Sequence, residues 1–365
     1  MVHFFPKFFP TPKYLARPTV GLDISDQSIK FIELARSGDR LKIVRYGEQA
    51  IPAGAIEAGI IKDEAGLVAV LAALRVEHGL ADVAMSLPEE EAYVIRLALP
   101  YVAPAELKDS LELQLEEHIP LSADEIVFDY EILTAPDDAH GDYNLSLSAF
   151  PKNIIASYTT ALAAAGLTPL AAEIEAQAIA RSVVRRGDER LTMIVDFGKT
   201  RTSFFIASGA IVLFTATAAH IGGEDLTKSI QKNLNLSYNE AERLKIERGL
   251  LTIKKHQELF FSILPIVSVL RDEIIKHFSW WDSRRGDHSR FDRAIERVVV
   301  CGGQATLPGL IDYLNLNLDW PVELGNPWSN VFSLETHIPP INLNQSLRYT
   351  TSLGLALRGL LPDHD

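Results

Sequence analysis

Two aspartates stand near the ends of apolar strands in two similar stretches of this sequence. The first stretch, TVGLDISDQSIKFIEL, begins at Thr19 and contains Asp23. The second, TMIVDFGKTRTSFFIAS, begins at Thr192 and contains Asp196. A carboxylate disfavours a strand and is costly to bury without a partner. Two such carboxylates facing one cleft could hold Mg²⁺ and its water ligands, so we predict that Asp23 and Asp196 bind the metal through water.

Each aspartate is followed by a polar turn and a second apolar strand, which is typical of a β-hairpin. A further turn and a third strand then follow in both stretches, so a strand–turn–strand–turn–strand unit occurs twice with an acid at the same place. A repeat of this kind indicates a duplicated architecture, in which two related halves could face each other across a cleft. Backbone N–H groups of turns that point into such a cleft can cradle phosphates.

Two glycine pairs precede predicted helices further along the chain. RVVVCGGQATLPGLIDYL places Gly302 and Gly303 after an apolar strand, and HIGGEDLTKSIQKNL places Gly222 and Gly223 before a helix. Glycines at such junctions allow the backbone to approach a flat ligand such as a purine or a ribose, although they can also mark only a tight turn. The following stretch, SYNEAERLKIERG, predicts a helix that opens with a capping box.

Composition excludes several classes of protein. The chain has 365 residues, is 47% hydrophobic and 23% charged, and is long enough for two or more domains. The net charge of −13 gives no indication of a nucleic-acid partner. The single cysteine, Cys301, fits a reducing compartment. Because no uncharged apolar run approaches the ~20 residues that span a bilayer, we expect a soluble protein.

The N-terminal stretch MVHFFPKFFPTPKY combines phenylalanines with three prolines. The prolines interrupt the continuous apolar core of ~7–15 residues that a signal peptide needs, and they forbid a regular helix. A disordered tail and an aromatic arm that grips a partner or lipid headgroups both remain open.

The order of these motifs resembles that of the actin-like ATPases. Lys30 lies seven residues after Asp23, the offset at which actins carry a phosphate-contacting lysine. More narrowly, the chain is similar to the PilM family of type IV pilus assembly proteins. VGLDISDQSIKFIEL resembles the opening of that family, and LELQLEEHIPLSADEIVFDYEIL and AALAAAGLTPLAAEIEAQAIARSV resemble two of its internal segments. The resemblance extends to SLRYTTSLGLALRG near the C-terminus and so covers nearly the whole chain.

This resemblance implies an α/β actin-like (ribonuclease H-like) duplicated fold, with two lobes around a nucleotide cleft and a small α+β insertion in the first lobe. The implied parts are an N-terminal tail at 1–18, a first actin-like subdomain at 19–91, 169–187 and 346–361, an inserted docking subdomain at 92–168, a second actin-like subdomain at 188–220 and 295–345, and a mostly helical cap at 221–294.

The resemblance also implies a site for ATP and Mg²⁺. The first phosphate loop would comprise Asp23, Ser25, Asp26, Gln27, Ser28 and Lys30, and the second Asp196, Gly198, Lys199, Thr200 and Thr202. The nucleoside pocket would comprise Gly222, Gly223, Gly302, Gly303 and Gln304, with Glu242 and Lys245 at the ribose and base. Glu175 would approach the metal-bound water and join Asp23 and Asp196 in the catalytic set. A solvated surface charge is the alternative for Glu175.

Two departures from the family pattern bear on hydrolysis. Ser25 stands where the family has glycine, which would cost about 1 kcal/mol or more if that position has a positive φ or touches phosphate. Lys199 and Arg201 stand where small residues are usual, and either attract phosphate or are solvated turn residues. We therefore predict nucleotide binding, with weak or absent ATP hydrolysis.

Three functions fit the resemblance. The first is a cytoplasmic ATP-binding adaptor, peripheral to the inner membrane, that couples cleft closure to binding of the N-terminal peptide of the inner-membrane partner PilN beside the inserted subdomain. The alternatives are an FtsA-like filament-forming membrane tether, although the GLLPDHD ending lacks a basic amphipathic helix, and a small-molecule kinase. Pilus motor ATPases are a further candidate partner, nucleic acid is not expected, and a homo-oligomer is left open.

Overall fold

The computed structural model describes residues 19–38, 40–136, 141–251, 257–284, 291–335, 337–358 and 360. The predicted N-terminal tail at 1–18 lies outside the described residues, and so does most of the GLLPDHD ending.

In chain order, the strands of the described residues are β1 (Thr19–Ile24), β2 (Ser28–Ser37), β3 (Arg40–Ala50), β4 (Ile56–Glu57), β5 (Ile60–Ile61), β6 (Asp82–Leu87), β7 (Tyr93–Pro100), β8 (Ile126–Thr134), β9 (Asp142–Pro151), β10 (Thr168–Ile174), β11 (Leu191–Phe197), β12 (Arg201–Ser208), β13 (Ile211–Ala219), β14 (Arg297–Cys301) and β15 (Val322–Leu324). The α-helices are α1 (Glu64–His78), α2 (Leu107–His118), α3 (Lys152–Ala164), α4 (Glu175–Val183), α5 (Gly223–Leu234), α6 (Tyr238–Arg248), α7 (Gln257–Asp282), α8 (Leu310–Asn317), α9 (Leu343–Ser346) and α10 (Thr350–Arg358).

Two five-stranded sheets of the described residues contain the two predicted repeats. The first has the spatial order β10–β6–β1–β2–β3, and the second has the order β13–β12–β11–β14–β15. In the first sheet, β1 pairs antiparallel with β2 and parallel with β6, and Asp23 lies opposite Lys30. In the second, β11 pairs antiparallel with β12 and parallel with β14, and Asp196 lies opposite Ser203. The predicted duplication is thus confirmed.

A third sheet, of order β7–β9–β8, lies in the stretch predicted as an insertion. It shares a buried leucine core with α2 that includes Leu97, Leu111 and Leu145. Helix α3 was predicted to belong to the same insertion. However, its buried face, with Ile154 and Tyr158, packs into the main core together with α1 and the first sheet. We therefore propose that the insertion ends before α3.

Helices α5, α6 and α7 lie between β13 and β14 and form the helical region that was predicted as a cap. The two tryptophans near the end of α7 make packing contacts with the protein. Trp280 lies against Phe214 with ring centroids 4.4 Å apart, and the Trp281 indole N–H donates to the carbonyl of Arg293 at 3.0 Å. Within the described residues, no helix combines the length and apolarity needed to cross a membrane.

Candidate functional site

A cavity of about 780 Å³ opens between the two repeats. Asp23 near the end of β1 and Asp196 near the end of β11 both line it, so the two acidic strand ends meet around one space. Its volume lies within the range of small-molecule and cofactor sites. The predicted residues that line it are Asp23, Ser25, Asp26, Gln27, Ser28, Lys30, Glu175, Asp196, Gly198, Lys199, Thr200, Glu242, Lys245, Gly302, Gly303 and Gln304.

Three predicted residues are not among the described residues that line the cavity. The Thr202 side chain is buried and its hydroxyl donates to the carbonyl of Ile221. A Cβ at Gly222 would lie 2.6 Å from the carbonyl oxygen of Lys199, and one at Gly223 would lie 2.2 Å from the Gln304 side chain. Gly222 thus packs against the second turn and Gly223 against the cavity-lining Gln304, and a role of these glycines at the nucleoside stays a prediction.

Asp23 is buried and Asp196 is half-buried, and both have few compensating partners. Asp23 accepts a hydrogen bond from Ser86 Oγ at 3.3 Å, and Lys30 Nζ lies 3.9 Å from its Oδ2 atom. Burial raises the pKa of Asp23, although Lys30 and Arg201 oppose the shift. Burial also raises the pKa of Asp196, to about 6. Because desolvation disfavours the two charged carboxylates, a divalent cation bound through water would suit them.

Direct metal coordination finds less support in the side-chain arrangement. Within the described residues, no group of three or more His, Cys, Asp or Glu side chains is placed to hold a metal ion. Asp23 and Asp196 therefore remain the residues that we predict to bind Mg²⁺ through water.

The turn after β14 shows why Gly302 is needed there. Gly302 has a φ of +86°, and a Cβ on it would stand 2.3 Å from Asp196 Oδ1. Any side chain at this position would both strain the backbone and displace the aspartate. At Gly303, by contrast, the nearest neighbour of a Cβ would be Arg348 Cγ at 3.5 Å. The backbone at Gly303 is thus open to the cavity and could be approached closely by a ligand.

Ser25 fits the first turn without strain. Its backbone N–H and its hydroxyl both donate to the carbonyl of Ser28, at 3.0 and 2.9 Å. The non-glycine residues with positive φ in the described part of the chain are Ala58, His220 and Asn235. The strain expected for a serine in the glycine position therefore does not arise.

Arg201 is neither a solvated turn residue nor a cation free for phosphate. Its Nη1 atom lies 2.7 Å from Glu90 Oε1 and 3.9 Å from Asp26 Oδ2, and its Nη2 atom donates to both oxygens of Glu175, at 3.1 and 3.3 Å. Burial alone would lower the pKa of Arg201, but Glu175 and the other carboxylates raise it overall. Lys199, in contrast, is exposed and lines the cavity.

Glu175 is buried beside this guanidinium, so the solvated alternative for Glu175 is wrong. Burial raises the pKa of Glu175 well above its usual value, although Arg201 opposes the shift. Sequence reasoning missed Glu90, which lies in the run Glu89–Glu91 after β6. A run of three glutamates usually indicates a solvated surface, and the sequence carries no local signal that two of them face Arg201 and α4.

Glu242 and Lys245 connect α6 with the start of α5. Lys245 Nζ donates to the carbonyl of Gly223 at 2.9 Å and to Thr227 Oγ1 at 3.0 Å, and it lies 2.8 Å from Glu242 Oε2. Burial lowers the pKa of Lys245. The role of this pair at a ribose and base stays a prediction.

Sequence reasoning also missed the contribution of the C-terminal segment. Arg348 forms an ion pair with Glu48 at 2.7 Å, and both residues line the cavity. The sequence signal was limited to an arginine and several polar residues at the start of the stretch SLRYTTSLGLALRG. The further lining residues are Ala50, Arg201, Ile246, Thr306, Leu307, Asn344, Gln345, Leu347, Thr350 and Thr351.

We expect Glu89 to make the stability of the fold depend on pH. Its Oε2 atom accepts from the backbone N–H of Ala176 at 3.0 Å, whereas Oε1 has no hydrogen-bond partner in the described part of the chain. Burial raises the pKa of Glu89 to about 7. The folded state binds the Glu89 proton more tightly than the unfolded state does. The stabilisation of the fold by this proton is therefore fully present below about pH 4.5 and is lost as the pH rises through 7. We expect Glu89→Gln to be about 2–3 kcal/mol more stable than wild type at pH 8.

Urea unfolding at pH 5 and pH 8 measures this effect. The two proteins should differ little at pH 5. Glu91→Gln, a change in the neighbouring half-buried glutamate, serves as the matched control. Equal stabilities of wild type and Glu89→Gln at pH 8 would show that Glu89 is not a source of pH dependence.

The chain is similar to a known protein family and to solved structures of actin-like proteins. The family model "Type IV pilus assembly protein PilM" matches residues 21–360. Among solved structures, a "PilM-PilN type IV pilus biogenesis complex" has a TM-score of 0.76 and 22% identity, covering 95% of this chain and 100% of that chain. MreB5 of Spiroplasma citri bound to ADP has a TM-score of 0.54 and 13% identity, covering 93% of this chain and 95% of that chain. These structures establish the actin-like fold.

A curated relative points to the same superfamily. The cell division protein FtsA of Enterococcus hirae is 27% identical over 210 residues, which are 50% of this chain and 47% of FtsA. The chain therefore matches about half the length of that relative.

Proposed function

This chain belongs to the type IV pilus assembly protein PilM family, and we propose that it is an ATP-binding adaptor in which the state of the nucleotide cleft is coupled to the binding of a PilN-type peptide. Nucleotide binding is supported by one observation: two acidic turns, one from each repeat, meet around one cavity. The role in pilus assembly is supported by the membership in the family.

In this proposal, the backbone N–H groups of the two turns face the phosphates. Lys30 and the exposed Lys199 supply positive charge beside them, and the open backbone at Gly303 accepts the flat part of the nucleotide. Asp23 and Asp196 would hold Mg²⁺ through water, and the ion would neutralise phosphate charge when bound. ATP hydrolysis is expected to be weak, because both oxygens of Glu175 are occupied by Arg201.

The inserted sheet offers a site for the peptide. Strand β8 is at the edge of that sheet, and Val127 and Ile132 on it are exposed. An unpaired strand edge can accept an extended peptide by backbone pairing. A pocket of about 20 Å³, which has room for about one water molecule, lies beside β8 and is lined by residues of the inserted sheet, of α4 and of β13: Asp129, Tyr130, Glu131, Ser146, Ser148, Gln177 and Val212. The two carboxylates of this pocket favour a basic peptide, and attachment to a membrane-bound partner would bring the chain to the inner membrane.

The test is a calorimetric titration with Mg²⁺–ATP and with a synthetic N-terminal PilN-type peptide, each alone and in the presence of the other. Binding of both ligands, with an affinity for the peptide that changes at least fivefold when nucleotide is present, is the expected result. A panel of sugars is titrated in parallel. Binding of sugars but not of the peptide would contradict the adaptor and favour a small-molecule kinase.

A further inference from the structure

Arg201 reaches from the second repeat to three carboxylates of the predicted first subdomain. It is the first residue of β12, directly after the second turn, and its side chain is 14% exposed. Its partners are Glu90 at 2.7 Å, Glu175 at 3.1 Å and Asp26 at 3.9 Å. These partners belong to three separate segments: the first turn, the turn after β6 and the start of α4.

Two of these carboxylate segments are held in place by other contacts. Asp26 accepts hydrogen bonds from the backbone N–H groups of Ala58 at 3.2 Å and Gly59 at 3.1 Å. The neighbour of Glu90 in the chain, Glu89, accepts from the start of α4. The guanidinium therefore contacts a set of acceptors whose positions are already fixed. A planar guanidinium with several donors suits such a set better than an ammonium group does.

The contacts of Arg201 are also the main ionic link across the cavity. Among the described residues, no other lysine or arginine forms an ion pair with Glu90 or Glu175. A further polar contact near the two turns is made by the Gln27 amide, whose Nε2 atom lies 3.4 Å from Glu224 Oε2. Arg201 is thus the charged link between the second turn and the first subdomain, beside the apolar contacts that join the two sheets in one buried core.

We propose that Arg201 is a positioning residue that ties the second turn to the first subdomain and sets the spacing of the two turns before nucleotide enters. The proposal rests on the nucleotide site of the proposed function. A site whose turns are already spaced for the ligand loses less binding free energy to ordering than one that must close. If the tie is removed, the binding-competent state becomes a fraction of the population and the apparent affinity falls by that fraction.

The test is the charge-balanced double variant Arg201→Gln/Glu90→Gln, because Arg201→Gln alone would leave three carboxylates without their cation. Small-angle X-ray scattering measures the radius of gyration with and without Mg²⁺–ADP, and calorimetry measures the affinity for Mg²⁺–ADP. We expect at least tenfold weaker binding in the double variant. We also expect a larger radius of gyration in its nucleotide-free form that returns to the wild-type value at saturating Mg²⁺–ADP.

The matched control is Lys276→Gln/Glu273→Gln, which removes a surface ion pair of 2.8 Å on α7 and should change neither quantity. Arg201→Lys keeps the positive charge but loses the planar guanidinium with its several donors. This variant should bind Mg²⁺–ADP at least threefold more weakly than wild type. This second variant decides the matter if the double variant does not fold. Wild-type affinity and radius of gyration in these variants would overturn the inference about Arg201 alone. A wild type that does not bind Mg²⁺–ADP would overturn the proposed function itself.

Discussion

Asp196→Asn is expected to weaken the binding of Mg²⁺–ATP by at least 100-fold, or about 3 kcal/mol, and to leave the fold intact. Asparagine has the shape of aspartate but lacks its charge, so the cation would lose one of the two carboxylates that face it. Burial already disfavours the charged form, since it raises the pKa of Asp196 to about 6. The neutral amide should therefore cost the nucleotide-free protein little stability. Calorimetric titration and the melting temperature measure the two effects separately.

Asp188→Asn is the matched control in the same repeat. Asp188 forms ion pairs with Arg190 at 2.7 Å and Arg297 at 2.9 Å, and the hydrogen bonds from Arg190 lower the pKa of Asp188 to about 2. This variant should lower the melting temperature and leave the nucleotide affinity unchanged. The opposite pattern, with unchanged nucleotide affinity in Asp196→Asn, would rule out the cavity as the Mg²⁺–ATP site.

The elements that the sequence predicted well are those whose signals are local. The two hairpins follow from apolar strands that flank a polar turn, and the observed pairing of Asp23 with Lys30 is the register that such a short turn allows. The capping box at the start of α6 was also predictable. Ser237 N–H donates to Glu240 Oε2 at 3.0 Å, as residues three apart at a helix start can do.

The features that the sequence did not reveal are those that depend on distant segments. Arg201 is separated from Asp26 and Glu90 by more than a hundred residues of chain, so no spacing rule connects them. The close approach at Gly222, where a Cβ would lie 2.6 Å from the carbonyl oxygen of Lys199, likewise depends on how the second turn packs on the start of α5. A glycine in a motif shows that something approaches closely, but only the packing shows what does.

The contacts of Arg201 also connect the proposed nucleotide site with the proposed peptide site. Helix α4 carries Glu175 in the nucleotide cavity and Gln177 in the small pocket beside the inserted sheet. Ser146 Oγ of the inserted sheet also donates to the carbonyl of Val212 at 2.7 Å, and Val212 belongs to β13, which pairs with the strand that begins at Arg201. Arg201 is therefore connected to residues that line that pocket by two routes, through Glu175 of α4 and through the pairing of β12 with β13.

Gly354→Ala is expected to destabilise the protein by more than about 3 kcal/mol, because the backbones of α10 and α4 touch at this glycine. A Cβ at Gly354 would lie 1.8 Å from the carbonyl oxygen of Ala178, which is backbone and cannot turn away. On the other side of α10, a Cβ at Gly21 of β1 would lie 1.8 Å from the carbonyl oxygen of Ser352. The helix is thus fitted between a strand and a second helix, with no room to shift.

The expected loss runs against helix propensity, which favours alanine over glycine by about 1 kcal/mol in a helix interior. Ala73→Gly on the exposed face of α1, in the interior of that helix, calibrates that effect and should cost about 1 kcal/mol. Urea unfolding measures both variants. Because α10 also carries Thr350 and Thr351 to the cavity wall, Gly354→Ala should weaken nucleotide binding as well. A Gly354→Ala protein as stable as wild type would mean that α4 and α10 are not in backbone contact, and the cavity wall formed by the C-terminal segment would then lose its support.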